Sequence, residues 1–537
     1  MLHIGGRCAT LPSHKDWTDP MIRPLLLRTA LCALVTTPGL ALAETAAETA
    51  VATDAGTGAA DAQVAAIRAD QPIRSEAPAT AIANGFPANA SGDGATTGGY
   101  NLSRWAEDWR AYKDPKKRDD FLDALKYVPI AADGDVYATF SGEVRLRMNL
   151  TTNPNLRKSE AQRQDITRIV GGVDLHLGKN LRVYGELGHA GLDGENLGVP
   201  NANLRNDLAV QQLFVEARGD LGGLDTGVRV GRQEFVDGSN LLTSARDNNT
   251  LRFVLNGVRA YARGKAARVD LFDFTYTQYG YQGLGDDPRD KNRRFSGGVV
   301  GYAVPTDLFG KSKLYLDPFV YRLRTRNQLW GTTTRREERI FTGVHAWGEA
   351  GPVTIDWTIN HQFGNYDGRD INAWQAFIAQ TYKLGKSATA PRVGVHLDYG
   401  SGGGAFGNGT LKTASGLFGN NIYFSYGLFL TPQNFMGVAP NFTFNPIKPL
   451  RVTAEYQFAW RPSETDAVYR ANGSAFARTQ NVRGKEIGQV ARLQAVWSIT
   501  PRLSFTGRLE HLETGDVFER SGYRDSMFGA GWISFRF

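Results

Sequence analysis

From Asp135 onward the chain alternates. Val136, Ala138, Phe140, Gly142, Val144, Leu146 and Met148 fall on one side of an extended backbone; Tyr137, Thr139, Ser141, Glu143, Arg145 and Arg147 fall on the other. Successive strand side chains point to opposite faces, so this stretch predicts a strand with one greasy wall and one wet wall. The same texture recurs between turn residues. It predicts strands at 136–150, 166–178, 181–190, 208–219, 225–235, 253–264, 267–277, 294–304, 313–325, 336–349, 352–364, 371–384, 391–401, 433–445, 449–461, 485–499, 502–515 and 524–537, about eighteen in all. Pro318 interrupts the alternation of 313–325, where a bulge is expected. In the last strand Met527, Gly529, Gly531, Ile533, Phe535 and Phe537 share the greasy side. Ser534 and Arg536 share the wet one, with Trp532 as a misfit beside them.

The connections sort into two kinds. Lys179-Asn180, 219–224, 264–266, Ala350-Gly351, 446–449 and Thr500-Pro501 are tight, whereas 191–207, 236–252, 278–293, 402–432 and 462–484 are long. A soluble sandwich has no reason to sort its loops, but a membrane barrel has short periplasmic turns and long outer loops. An even strand count also puts both ends of the barrel on one side. In lipid every backbone group must be paired, so strands can cross only as a closed cylinder. No window approaches 18 uninterrupted apolar residues, which disfavours helical spans. The expectation is an all-β, transmembrane, antiparallel up-and-down β-barrel of about eighteen strands over residues 135–537, in a bacterial outer membrane.

Ahead of the barrel the pattern changes. Met21 to Arg28 is a basic segment, 29–40 is largely apolar, and Ala41-Leu42-Ala43 is a small-x-small cleavage site. Residues 1–43 therefore read as a signal peptide, with Met21 as the true start. Both cysteines, Cys8 and Cys32, precede that cut. Residues 44–100 are rich in Ala, Thr and Gly and read as a low-complexity periplasmic tail, with a helix near 59–69. Residues 101–134 read as a pre-barrel periplasmic segment of turns and one-turn helices. Composition adds little: 537 residues with 61 Gly and 21% charged would suit a large soluble enzyme equally. Removing residues 1–43, with four cations against two anions, takes the formal charge from +7 to +5, too weak a bias for nucleic acid.

No enzyme signature is present. The sequence has no His-Glu-x-x-His, no cysteine pair after the cut and no Gly-x-Ser-x-Gly. Gly402-Gly403-Gly404-Ala405-Phe406-Gly407 lacks the Lys-Ser/Thr of a phosphate loop, and the eight histidines have no metal spacing. No catalysis, metal or cofactor is expected. The signal lies on the wet face. Taking the apolar set as lipid-facing sends Arg145, Arg147, Arg168, Arg182, Arg259, Arg263, Arg268, Arg392, Arg451, Arg461, Arg492, Arg502 and Arg508 into the lumen. Glu143, Asp174, Glu186, Asp270, Asp356, Asp398, Glu455 and Glu510 go with them. Rings of arginine favour anions. The plainer alternative is that each arginine neutralises a cross-strand acid.

Several stretches resemble the alginate export family of outer-membrane proteins. They are Trp105-Ala106-Glu107-Asp108-Trp109 with Asp114-Pro115 and Leu125-Lys126-Tyr127-Val128-Pro129; Gly231-Arg232-Gln233-Glu234-Phe235 with Leu242, Arg246-Asp247 and Asn256-Gly257-Val258-Arg259; His361-Gln362-Phe363-Gly364; and Ala459-Trp460-Arg461 with Asp466-Ala467-Val468-Tyr469. The resemblance implies an eighteen-stranded monomer whose arginine-rich lumen passes an anionic exopolysaccharide out of the periplasm, with periplasmic secretion components as further partners. It carries Arg232, Arg259 and Arg461 over as wall arginines, and Phe537 as the mark that the outer-membrane assembly machinery reads. Two departures stand out. The late periplasmic connection is only about Thr500-Pro501, where the family's alginate exporter has a long restricting turn. Gly403 stands where an acidic residue is common. The 191–207 loop is the candidate to fold inward instead. The leading reading is export of an alginate-like polymer past Arg145, Arg147, Arg182, Arg232, Arg259, Arg263, Arg451, Arg461, Arg492 and Arg508. The alternatives are an uptake porin for small anions or oligosaccharides, and a surface enzyme or structural barrel with a closed lumen.

Overall fold

The computed structural model describes Phe86, Thr96–Thr97 and residues 100–537 apart from 132–133, 198–201, 237–238 and 471–472. The expected signal peptide, both cysteines and the expected helix near 59–69 lie outside the described residues.

Among the described residues eighteen long strands, each hydrogen-bonded to its neighbours in sequence, close into one antiparallel barrel. They are β1 (Val136–Thr151), β2 (Gln162–Leu177), β3 (Leu181–Asp193), β4 (Asn206–Leu221), β5 (Leu224–Gln233), β6 (Leu255–Arg263), β7 (Ala267–Thr277), β8 (Arg289–Ala303) and β9 (Lys313–Trp330). The second half comprises β10 (Thr333–Ala350), β11 (Val353–Tyr366), β12 (Arg369–Lys383), β13 (Arg392–Gly400), β14 (Phe435–Ile447), β15 (Leu450–Trp460), β16 (Glu486–Ser498), β17 (Leu503–Thr514) and β18 (Ser526–Arg536). The cylinder closes where β18 pairs with β1, from Phe528↔Thr151 to Arg536↔Glu143. Phe537 and Gly142 then exchange both backbone hydrogen bonds. No strand edge faces lipid along that seam.

Alternation holds as expected. Leu146, Leu213, Val230, Leu271 and Val320 face outward and are more than half exposed, whereas their strand neighbours Arg145, Arg147, Arg229, Asp270 and Phe319 are buried inside. Pro318 does not bulge β9. Asp317, Phe319, Tyr321 and Leu323 all face inward, and the ladder to β10 runs unbroken through Asp317↔His345 and Pro318↔Val344. Only the ladder to β8 lapses, between Val299↔Phe319 and Tyr302↔Leu316, because proline has no N–H to donate there. The irregularity in β9 lies further on, between Thr325 and Gln328. Loop sorting is also less strict than the sequence suggested. At the long-loop end β9–β10 and β11–β12 join through 331–332 and 367–368, because these strands run on where loops were expected. At the other end 304–312 and 384–391 are longer than tight turns.

Two glycines of the family-like motifs explain one requirement. Gly231 on β5 and Gly257 on β6 stand opposite each other in register. Their φ angles are 139° and 159°, and a Cβ on either would press on a neighbouring backbone carbonyl, that of Leu213 for Gly231 and that of Asp273 for Gly257. Only glycine adopts this conformation at such close approach.

Three segments enter the barrel from its ends. The pre-barrel segment forms short 3-10 turns at Arg104–Ala106, Arg110–Lys113, Pro115–Lys117 and Asp123–Lys126, the third capped by Asp114. It is no mere lead-in. Arg104 ion-pairs with inward-facing Glu143 and, at 3.0 Å, Glu186; Glu107 pairs with Arg536 at 2.9 Å, and Asp123 with Arg502 at 2.7 Å. Phe86, within the expected tail, is buried against Tyr315 and Trp347. From the other end the 234–254 loop and the 401–434 loop descend. They meet along a short parallel bridge at Thr243↔Phe418, extended by hydrogen bonds from Ser244 N to Phe418 O and Phe418 N to Leu242 O. Both pack on inward-facing aromatics of the wall, including Phe272, Phe295, Phe377 and Phe435. The wet face is therefore only partly wet. The expectation that 191–207 turns inward is not met by its described residues: Leu197 and Glu195 bond to Gln162 and Arg163 at the β2 end, and Asn203 O accepts from Leu251 N.

Gly231→Val should abolish the compact, heat-modifiable form of the refolded barrel on a gel, whereas Val230→Ala on the lipid face should leave it. Arg104→Ala removes one partner from two buried carboxylates, a loss of about 3–5 kcal/mol. It should expose residues 100–127 to limited proteolysis while the barrel itself stays resistant. Arg110→Ala, which breaks only an exposed pair with Asp108, should change nothing measurable.

Candidate functional site

The inner wall holds its arginines by three kinds of partner. The first is a carboxylate of the wall itself, on the same strand or one nearby. Arg259 on β6 pairs with Asp270 on β7 at 2.7 Å, and Arg268 with Asp270 and Asp317, each at 3.1 Å. Arg263 lies 3.7 Å from Asp225 and over the Tyr261 ring at 4.0 Å. Arg182 meets Asp174 and Glu216 and donates to the Trp105 carbonyl. Trp105 in turn stacks under the Arg229 guanidinium at 3.5 Å, so one ring of the pre-barrel segment seats against two wall cations.

The second kind is the inward 234–254 loop. Asp247 accepts from Arg145 at 2.9 Å, Arg168 at 2.9 Å and Arg252 at 2.6 Å. Glu143 joins the same group through Arg104, Arg145 and Arg168. Glu234 accepts from Arg252 and from the Ser103 hydroxyl at 2.8 Å, tying the pre-barrel segment to the loop. Four arginines (Arg104, Arg145, Arg168, Arg252) thus face four acids (Glu143, Glu186, Glu234, Asp247). Burial pushes the Glu234 carboxyl above its ordinary range against the pull of Arg252. Burial also works against the charge on Arg252, but Asp247 and Glu234 outweigh it and hold that guanidinium firmly protonated. Such a cluster is tolerable out of water because its charges are balanced and most of its polar atoms are hydrogen-bonded.

The third kind is a neutral oxygen or an aromatic face. Arg147 donates to Asn149 Oδ1, Asn248 O and Asn248 Oδ1, and among the described residues no carboxylate lies within ion-pair reach of it. Its guanidinium sits 4.8 Å from the Trp532 ring, with Arg508 at the same distance from that ring. Trp532 faces inward, so it is a platform rather than a misfit. Arg508 bonds to Gln494 and Asn248 and lies 5.0 Å from Tyr426; Arg492 lies 5.3 Å from the same ring, bonds to Tyr423 O and pairs with Glu455. The result is a ladder Arg147, Trp532, Arg508, Tyr426, Arg492 across β1, β18, β17, the 401–434 loop and β16. Glu510 fixes that loop by accepting from the Ser425 hydroxyl and the Tyr426 and Gly427 amides.

Other expected wall positions serve elsewhere. Arg451 and Arg392 are half-buried on the inner side of β15 and β13. Arg461 directs its guanidinium to the carbonyls of Asp466, Thr479, Val482 and Gly484, bracing the 461–485 loop rather than lining a passage. Arg232 is a correction. Standing opposite outward-facing Leu213 on the side of Val230, it is bound at the rim by Asn256 Oδ1, Val210 O and Asp287 O. Period two around Gly231 would have assigned it so, had the motif not been read as wall. Arg104, Arg229 and Arg252 went unread, and Asp247 stood in a family-like motif with no role assigned to it. Arg229 alternates with Val228 and Val230 and was legible; the loop residues have no period to reveal them. Gly403 departs from the family's acidic residue, yet its N–H donates to Asp466 at 2.7 Å, so a carboxylate still serves that corner from the next loop. Among the described residues no group of His, Cys, Asp and Glu could hold a metal ion.

The family model for alginate export matches residues 136–529. No curated protein matches the chain. Among solved structures it is similar to OccAB1 of Acinetobacter baumannii, at 14% identity and a TM-score of 0.51, over 77% of this chain and 99% of that one. It is also similar to a BenF-like porin of Pseudomonas fluorescens Pf-5, at 14% identity and a TM-score of 0.49, over 74% and 98%. At such identity the first likeness speaks for the barrel fold alone. Together with the family match, the closed eighteen-strand wall is that of an outer-membrane channel. The chain belongs to the alginate export family.

Proposed function

We propose that this channel lets an anionic exopolysaccharide, a polymer of uronate-like sugars, leave the periplasm, and that the arginine–aromatic ladder is where the polymer passes. The observation that carries the reading is Arg147: a lumen cation held by neutral oxygens, stacked on Trp532 and continued by Arg508. A carboxylate arriving there meets a guanidinium fork suited to bidentate pairing, while the rings offer an apolar face to a sugar. Wall arginines already matched to acids, such as Arg259 and Arg268, supply no such site. The chain has no nucleotide-binding loop, so synthesis or the concentration gradient drives the flow. Because the arginines of the ladder are buried under the 234–254 and 401–434 loops, these loops set the width of the passage and must yield to the polymer.

In planar bilayers the channel should prefer anions, and Arg147→Glu with Arg508→Glu should reverse the sign of the reversal potential under a salt gradient. Cation preference in the native protein would sink the reading. Removing residues 416–427 should raise single-channel conductance several-fold. A strain lacking the gene should lose its acidic surface polysaccharide; lost growth on an oligosaccharide, with the surface polymer intact, would favour uptake instead.

A further inference from the structure

The outward face of the barrel changes character toward the long-loop end of β7 to β10. Lower on the wall it is apolar: Leu271, Val300 and Val320 are exposed to lipid. One to three steps along the same faces stand Asp273 on β7, Arg294 on β8 and Arg322 and Arg324 on β9, with Glu338 and Arg336 on the outward face of β10. β9 and β10 are 18 residues each, well beyond the roughly 9–11 a strand needs to cross the hydrocarbon. The change from apolar to basic therefore falls where strand leaves hydrocarbon for headgroups.

The two acids are already engaged. Asp273 takes a two-pronged bond from Arg294, and Glu338 accepts from Arg322 at 2.6 Å. Arg324 stands between Arg294 on β8 and Glu338 on β10 in register, and the acids beside it, Asp273 and Glu338, are bonded to Arg294 and Arg322 instead. Among the described residues neither Arg324 nor Arg336 has an ion-pair partner. Both point away from the lumen, so nothing travelling inside the barrel reaches them.

We propose that Arg324 and Arg336 form a docking surface for the phosphate groups of an outer-leaflet lipid headgroup. Its acyl chains would lie along the apolar stripe of Val300 and Val320 below. The guanidinium fork matches phosphate geometry, and each cation at a membrane surface strengthens such binding appreciably.

The test is native mass spectrometry of the full folded chain, incubated with a bis-phosphorylated glucosamine-disaccharide lipid or with the same lipid after phosphatase treatment. The expected result is retention of the phosphorylated form only, weakened at least roughly tenfold in the R324Q/R336Q variant. Heat-modifiable migration and single-channel conductance should stay unchanged in that variant. Equal retention by the variant, equal retention of the dephosphorylated lipid, or displacement of the lipid by millimolar inorganic phosphate would each overturn the proposal.

Discussion

A strand placed in hydrocarbon has nowhere to send an unpaired N–H or C=O. Everything else in this molecule follows from that constraint. It demands the seam between β18 and β1, down to the paired backbone of Phe537 and Gly142. Once the ring is shut, the pleat forces a strict division of labour: every second side chain meets lipid, and those between must live with one another inside. Glycine at positions 231 and 257 is the local form of the same demand, because a side chain there would push adjacent strands apart.

The interior then has to accommodate an unusual density of guanidinium groups. The arrangement solves this with segments from outside the wall. Asp247 arrives on one loop and joins Glu143 in holding Arg145 and Arg168; Glu107 and Asp123 arrive on the pre-barrel segment and hold Arg536 and Arg502. Backbone carbonyls do the same for Arg461 and Arg492. The loops are held by the charges and in turn neutralise them. Arg147 stands out against this background because its partners carry no charge.

The wall was legible because period two is a strong signal repeated eighteen times, with β9 readable even through a proline. The filling was not. Phe272 and Phe274 alternate with the outward side of β7 and share the inner face with Arg268 and Asp270, but equating apolar with lipid-facing hides them. Trp532 was set aside for the same reason. The ion pairs that matter most join residues far apart in sequence, Arg145 to Asp247 and Arg104 to Glu186 among them, and irregular loops have no periodicity that would announce which cation they reach. Motif resemblance erred in the opposite direction at Arg232, where the residue type matched and the side of the strand did not.

The bonds of the pre-barrel segment to the last two strands bear on how the chain is built. Asp123 reaches 379 residues ahead to Arg502, and Glu107 reaches 429 residues ahead to Arg536. The first part of the segment to be synthesised must therefore wait for the last part of the wall before it can take its seat. A wall lacking its last two strands would offer no seat for Asp123 or Glu107.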